Sequence, residues 1–137
     1  MSNEHKKEYL RGYQRAKYEL KRAEEDLVEY KTSILYPSTL LDNMPVSNIR
    51  TDLSKYMPKL EALSQKCIDR RYKAISVAEE IKERINELEC IKEQEVLRLR
   101  YIRLKSWEQI CVDMEYGWAQ VHRFHGKALA NLKHGIE

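Results

Sequence analysis

The chain has 137 residues, of which 42% are hydrophobic and 34% are charged, and it contains only four Gly and three Pro. No segment approaches the roughly 18 consecutive apolar residues of a membrane span, so this composition excludes an integral membrane protein. It predicts long helices with few turns, either as one domain or as a small head on an extended arm.

The N-terminal residues 1–8 are polar and lack the apolar run of a signal peptide. The three cysteines, Cys67, Cys90 and Cys111, are odd in number and lack Cys-x-x-Cys spacing. We therefore expect free thiols and a cytoplasmic protein that makes no membrane contact.

From Tyr9 to Ile34 the apolar residues recur at alternating intervals of four and three. This 3.5-residue period is typical of a coiled-coil seam, and the charged residues beside it form a solvated face. Its tyrosines could stack on single-stranded nucleic acid, but tyrosines at seam spacing more often serve in packing. The seam consists of Tyr9, Tyr13, Ala16, Leu20, Ala23, Leu27, Tyr30 and Ile34.

Residues 35–51 lose this period and contain Pro37, Pro45 and several turn-forming polar residues. They predict a loop of about fifteen residues, which is longer than a helical hairpin usually needs. Its hydrophobic residues indicate that it packs on something, and the arm, the head and a partner all stay open.

A second long helix is predicted from about Asp52 to about Leu88. Apolar residues repeat every seven positions along it, although Arg70 and Arg71 interrupt the middle of the seam. Pro58 is tolerated only if it lies in the first helical turn. The two seams predict either antiparallel pairing within the chain or a dimer interface. The seam residues are Leu53, Met57, Leu60, Cys67, Ala74, Ala78, Ile81, Ile85 and Leu88.

Two shorter helices are predicted near the C-terminus. Ser106 and Gln109 have the spacing of a capping box, in which each side chain satisfies an amide at the start of a helix. Residues 115–117 interrupt the apolar pattern and contain a glycine. This layout fits a DNA-binding helix-turn-helix, and it fits an ordinary helical hairpin equally well. The apolar positions are Trp107, Ile110, Cys111 and Met114, and then Val121, Phe124, Ala128 and Leu132.

Charge favours the DNA-binding alternative. Residues 98–137 hold seven Lys or Arg and four acids, and the resulting +3 equals the net charge of the whole chain. The other 97 residues therefore balance to zero. A concentration of positive charge on one segment is expected where a protein approaches phosphates. His122, His125 and His134 are expected to add to this charge at lower pH.

The segments 95–103, 106–110, 114–116, 120–123 and 127–129 resemble the promoter-reading fourth region of bacterial sigma factors. They resemble even more closely the small sigma-like transcriptional regulators of phages and prophages, of the ArpU and RinA type. The resemblance covers about a third of the chain at the level of motifs. It differs at Gly117, where these relatives usually have Ser, and Gly remains an acceptable residue at a helix start.

The resemblance implies a C-terminal three-helix helix-turn-helix head. Together with the two seams, it predicts an all-α fold in which a long helical coiled-coil hairpin precedes this head. Residues 1–88 would form the oligomerisation arm, with its loop at 35–51, and residues 89–137 the DNA-binding domain. The head would fold back at a turn near Cys90. The implied function is activation of late phage genes in the bacterial host, by a homodimer that binds double-stranded DNA and could contact RNA polymerase.

If Gly117 precedes the last helix, Trp118, Gln120, His122 and Arg123 lie in its first two turns, where recognition helices contact base edges. Gln pairs with adenine and Arg with guanine, so Gln120 and Arg123 are the candidates for base readout. Phosphate contacts are expected from Lys127, Lys105 and Arg103. The alternative is that these charges are only solvated. The helix phase also predicts that Trp107 and Phe124 are buried and that Trp118 is exposed.

Catalysis has little support in the residues. His122-x-x-His125 could begin a zinc site, but no further ligand on that face completes it. No glycine-rich phosphate loop is present. We therefore expect a protein that is not an enzyme and has no cofactor. Two other functions stay open: DNA packaging of the small-terminase type, and a structural coiled-coil adaptor without DNA affinity.

Overall fold

The computed structural model of the protein describes residues 2–36 and 53–133, and within them all regular structure is helical. A 3-10 turn, Leu53–Tyr56, leads into the third helix, and a π-helical turn, Arg98–Ile102, continues the fourth. The all-α prediction is thus confirmed for these residues. The helices are α1 (Asn3–Leu10), α2 (Gly12–Leu35), α3 (Met57–Asn86), α4 (Ile91–Leu97), α5 (Trp107–Met114) and α6 (Trp118–Asn131).

Apart from Leu35 and Tyr36, the loop predicted at 35–51 lies outside the described residues. None of the helices in the described segments is both long enough and apolar enough to cross a bilayer.

The first helix begins earlier than the heptad pattern predicts. Ser2 caps α1, since its Oγ accepts a hydrogen bond of 3.3 Å from the backbone N–H of His5. α1 ends at Leu10, and α2 starts at Gly12 after a one-residue break at Arg11. The predicted seam from Tyr9 to Ile34 therefore spans two helices, with Tyr9 in α1 and its other residues in α2.

Within the described residues, 17–36 and 53–73 form one compact unit, in which the last part of α2 runs antiparallel to the first part of α3. Glu19 lies 3.5 Å from Arg70 and 3.4 Å from Lys73, whereas Tyr30, later in α2, makes an edge-to-face contact with Tyr56. Early residues of one helix thus meet late residues of the other. Arg70, which interrupts the seam in the sequence, pairs with an acid of α2, although such exposed pairs contribute only about 0–1 kcal/mol each.

The start of α3 explains the position of Pro58. α3 begins at Met57, so Pro58 lies in the first turn, where its missing N–H removes no helical hydrogen bond. The predicted seam is exposed at Leu53 and Met57 in the described residues. It becomes fully buried from Cys67 onward.

In the part of the chain that the structure describes, residues 2–16 and 74–133 form the second compact unit. Its core combines α1, the last part of α3 and the three C-terminal helices. Each Leu or Ile buried there contributes about 1.5–3 kcal/mol relative to exposure in water. The buried residues of this core are Leu10, Ile81, Ile85, Leu88, Val96, Leu97, Tyr101, Ile110, Met114, Val121, Ala128, Leu129 and Leu132.

A buried lysine joins α1 to the end of α6. Lys6 is only 8% exposed, and its Nζ donates hydrogen bonds to the backbone oxygens of Leu129, at 2.7 Å, and Ala130, at 3.3 Å. The last carbonyls of a helix have no partner within the helix and carry partial negative charge. The ammonium group therefore satisfies the C-terminal end of α6.

α3 ends at Asn86, and a short turn that includes Cys90 precedes α4. The side-chain amide of Gln94 donates to the backbone oxygen of Leu88 and closes this turn. A break near Cys90 was expected from the family resemblance alone, and the helix bounds agree with it.

Candidate nucleic-acid interface

The start of α5 is held by half of the predicted capping box. Ser106 is the N-cap, and its Oγ accepts a hydrogen bond of 3.2 Å from the backbone N–H of Gln109. The side chain of Gln109 does not return this bond, because its Nε2 donates to Asp113 Oδ1 at 2.8 Å. Ser106 therefore caps the helix, while Gln109 orients an acid one turn further along.

Residues 115–117 connect α5 to α6. The left-handed residue of this turn is Glu115, with φ of 60°, and not the glycine that the sequence pattern highlights. Gly117 has φ of −73° and is the N-cap of α6 without a side-chain hydrogen bond. A Cβ added at Gly117 would meet no atom within 4 Å, so the backbone there tolerates other residues.

The buried face of α6 differs by one position from the predicted stripe. Val121, Ala128 and Leu132 are buried as predicted, but His125 is buried and Phe124 is only half-buried. Phe124 packs edge-to-face on Tyr116, with 5.2 Å between ring centroids. Phe124, which was expected to be largely buried, is thus partly buried and packs against the edge of the core.

His125 does not add positive charge to the surface, contrary to the sequence-based expectation. Burial and then the positive charge of Lys7 lower its pKa from 6.5 to about 4. Its Nε2 shares a hydrogen bond of 2.8 Å with the hydroxyl of Tyr101, whose own pKa is raised by burial. His125 is thus a neutral core residue near neutral pH. His134 lies outside the described residues.

The two candidates for base readout, Gln120 and Arg123, contact each other. Arg123 is exposed, and its Nη1 donates a hydrogen bond of 2.7 Å to Gln120 Oε1. Lys127 is also exposed and lies one turn beyond Arg123, on the same side of α6. These three polar side chains therefore occupy the part of α6 that faces away from the core.

Trp118 is 55% exposed at the first position of α6, as the helix phase predicts. One turn later, His122 lies between two indoles, with its ring centroid 4.4 Å from that of Trp118 and 4.4 Å from that of Trp107. Trp107 itself, which was expected to be largely buried, is half-buried and packs against the core. Within residues 2–36 and 53–133, no three His, Cys, Asp or Glu side chains are placed to share a metal ion.

The candidate phosphate contacts before α5 lie in two different environments. Lys105 Nζ pairs with Asp113 Oδ2 at 2.5 Å, and this hydrogen bond lowers the pKa of Asp113. Arg103 is exposed beside a groove on α4 that is also lined by Ile91, Arg98 and Leu99. The structure thus pairs Lys105 with an acid and brings Arg103 against α4.

Arg100 was missed as a site residue by the sequence analysis. Its guanidinium carbon lies 4.6 Å from the ring centroid of Trp107, and its Nη1 donates to the backbone oxygen of Lys105 at 3.1 Å. Arg100 belongs to the π-helical turn, which changes the spacing of side chains from that of an α-helix. Helical periodicity therefore could not indicate this contact.

Searches of curated proteins and of solved structures returned no match to the chain. A family model described as "Protein of unknown function (DUF1492)" matches residues 56–133. This match includes α3 and the whole region from α4 to α6, and it covers more than half of the chain. The chain therefore belongs to the DUF1492 family.

Proposed function

We propose that the protein is a phage or prophage transcriptional regulator that binds double-stranded DNA through α6, the recognition helix of a helix-turn-helix formed by α5 and α6. The observation that carries this proposal is the outer face of α6, where Gln120, Arg123 and Lys127 project away from the core. Trp118, the first residue of the same helix, is exposed as well. Recognition helices insert the first turns of such a face into the major groove.

The distribution of charge supports the same function. The segment 98–137 carries the whole net charge of the chain, and the outer face of α6 holds two of its cations, Arg123 and Lys127. A positive surface of this kind provides the salt-dependent, sequence-independent part of DNA affinity. Because His125 is neutral at pH 7, Lys and Arg side chains provide this salt-dependent part of the affinity.

Base readout is assigned to Gln120 and Arg123 acting as a pair. Their hydrogen bond holds the amide and the guanidinium in one arrangement, and Arg retains further N–H groups for the acceptors of a guanine. A bidentate contact of Gln120 with adenine would need the oxygen that Arg123 now holds. The two residues should therefore be coupled in binding, and their substitutions should not be additive.

The proposed assembly is a homodimer that uses the coiled-coil arm, residues 1–88, and acts on late phage promoters in the bacterial cytoplasm, with bacterial RNA polymerase as a candidate partner. Helix-turn-helix dimers read paired half-sites, so the arm would set the distance between the two heads. Native mass spectrometry tests the assembly. A ring of many subunits would favour DNA packaging and contradict the regulator.

The central experiment is selection of a binding duplex from a random library, followed by gel shifts at two salt concentrations. Arg123→Ala should cost about 1–3 kcal/mol on the selected duplex and relax the preference at one base pair. Lys127→Ala should weaken binding to all sequences alike and reduce the salt slope by about one.

Lys66→Ala provides the matched control, because it removes an exposed lysine from α3 with the same change of charge. It should leave both affinity and salt slope unchanged. If Arg123→Ala and Lys127→Ala bind like the parent protein while remaining folded, α6 is not the recognition helix.

A further inference from the structure

Four side chains in the C-terminal region stack in a continuous column that ends at the surface. Arg100 lies over Trp107 at 4.6 Å, Trp107 contacts His122 at 4.4 Å, and His122 contacts Trp118 at 4.4 Å. Trp118 is the exposed end of this column. The exposed tryptophan thus rests on His122, and behind His122 lie Trp107 of α5 and Arg100 of the π-helical turn.

The column is anchored in the core. The Trp107 ring also meets His125 edge-to-face, with 4.8 Å between centroids, and His125 is hydrogen-bonded to the buried Tyr101. This contact connects the surface column to side chains that cannot move without disturbing the core. The inner part of the column is therefore rigid, and the outer indole rests on it.

His122 contributes a flat ring to the column but no hydrogen bond through Nε2, because this atom is buried without a hydrogen-bond partner in the described residues. A buried polar atom without a partner is unfavourable, and another apolar side chain would avoid this penalty. A flat ring between two indoles restricts the orientations open to Trp118. Less side-chain entropy is then lost when Trp118 contacts a ligand.

We propose that Trp118 is a specificity-determining residue that contacts the methyl group of a thymine in the major groove, and that His122 and Trp107 position it. This inference rests on the proposed function of α6 as a recognition helix. The first residue of such a helix lies close to base edges, and the thymine methyl is the apolar feature of those edges. An uncharged indole matches a methyl group better than it matches a phosphate.

The test replaces thymine by uracil, which removes only the methyl group, one position at a time in the duplex selected from the random library. For the parent protein, at least one replacement in each half-site should weaken binding about fourfold, as expected for one buried methyl. In Trp118→Ala this particular effect should disappear, while replacements elsewhere act as before. The measurements are made at low salt, where weak variants still bind.

Three further variants separate the methyl contact from a general loss of binding. Trp118→Phe keeps an apolar ring and should retain part of the uracil effect. His122→Ala removes the support and should reduce the effect although Trp118 is still present. Ile91→Ala removes a comparably exposed apolar side chain from α4 and should leave the uracil profile unchanged.

Equal sensitivity to uracil in the parent and Trp118→Ala would overturn the inference, and so would a parent protein that is insensitive at every thymine. Either result would leave duplex binding through α6 intact. Failure of the proposed function has a different outcome, because then the parent protein selects no duplex from the library.

Discussion

At the scale of single residues, the turn before α6 contains a backbone conformation that suits glycine but is occupied by glutamate. Glu115 has φ of 60° at the C-cap of α5. Side chains with a Cβ are disfavoured there by about 1–2 kcal/mol, and glycine is the usual residue at such helix ends. The turn thus carries backbone strain three residues before Trp118, the first residue of the proposed recognition helix.

Replacing Glu115 by glycine should stabilise the protein. We expect a gain of about 0.5–1 kcal/mol, because the relief of strain is partly offset by the greater freedom of glycine in the unfolded chain. Urea unfolding measures this change in the free energy of unfolding. Glu115→Ala is the matched control, since it removes the same carboxylate but keeps the Cβ. An equal gain in both variants would show that charge, and not backbone strain, was responsible.

The neutral His125 makes stability depend on pH. Its pKa is about 4 in the folded protein, against an ordinary value of 6.5, so the unfolded chain binds a proton more readily between these values. The stability that the folded protein gains by keeping His125 neutral is fully present above pH 6.5 and is lost as the pH falls towards 4. The free energy of unfolding, measured by denaturant titration, should therefore be about 1–2 kcal/mol lower at pH 5 than at pH 7.

The control for this pH dependence is His125→Gln, which cannot take up the proton. This variant is expected to be less stable at pH 7 but to lose less of its stability on going to pH 5. If the parent protein and the variant lose equal stability between pH 7 and pH 5, groups other than His125 cause the pH dependence.

Predictions for single residues succeeded where the exposure or the capping role of a residue depends only on its position within one helix. The exposure of Trp118 and the capping by Ser106 follow from position in a helix, and the structure agrees with both. The phase of α6 was wrong by one position, because hydrophobicity favours Phe124 over His125 for the core. The hydrogen bond between His125 and Tyr101, which compensates the burial of His125, joins residues 24 positions apart and leaves no local signal.

At the scale of helices, the end of α6 depends on α1. Lys6 donates to two carbonyls of the last turn of α6, and it does so from a buried position. A positive charge at a helix C-terminus interacts favourably with the helix dipole, and charged hydrogen bonds are stronger than neutral ones. The proposed recognition helix is therefore fixed at the end opposite to Trp118.

Lys6→Met keeps most of the aliphatic length and removes the ammonium group. We expect it to lower the free energy of unfolding by about 1.5–3 kcal/mol, the range for hydrogen bonds to charged groups. Lys7→Met is the control on the same helix, because Lys7 pairs with an exposed Glu4, and its loss should cost below about 1 kcal/mol. Equal destabilisation by the two substitutions would contradict the role of Lys6. Denaturant unfolding followed by circular dichroism provides the comparison.

Predictions of whole helices were also limited to what the local sequence pattern shows, and they missed contacts between distant parts of the chain. The heptad spacing places long helices at α2 and α3, and most predicted seam residues are buried or half-buried. The same pattern missed α1, whose polar residues show little periodicity. Leu10 is fully buried and Lys6 nearly so, because both pack on parts of the chain that lie far away in sequence.

At the scale of the whole molecule, the compact unit that contains α6 is built from both ends of the described chain. Leu10 of α1, with Ile81 and Ile85 of α3, belongs to the same core as Ile110 and Val121. The functional division predicted at residue 88 stays a prediction. The core, however, continues across that position.

A fragment of residues 89–137 should therefore not unfold cooperatively. It lacks Leu10, Ile81, Ile85 and Leu88, and the loss of each large buried side chain costs about 2–5 kcal/mol, against a total stability of about 5–15 kcal/mol. Thermal melts followed by circular dichroism test this. As a control, residues 1–16 joined to 74–137 by a Gly/Ser linker should melt cooperatively. A cooperative melt of the shorter fragment would contradict the prediction.

The contact between Lys6 and Leu129 also determines when the unit can form during synthesis. These residues are 123 positions apart, so α1 leaves the ribosome long before its partner exists. At about 5–20 residues per second, the wait lasts on the order of ten seconds. During that time Leu10 has no core to enter. A nascent chain therefore completes the unit only after α6 has been made, and it acquires its proposed DNA-binding surface late.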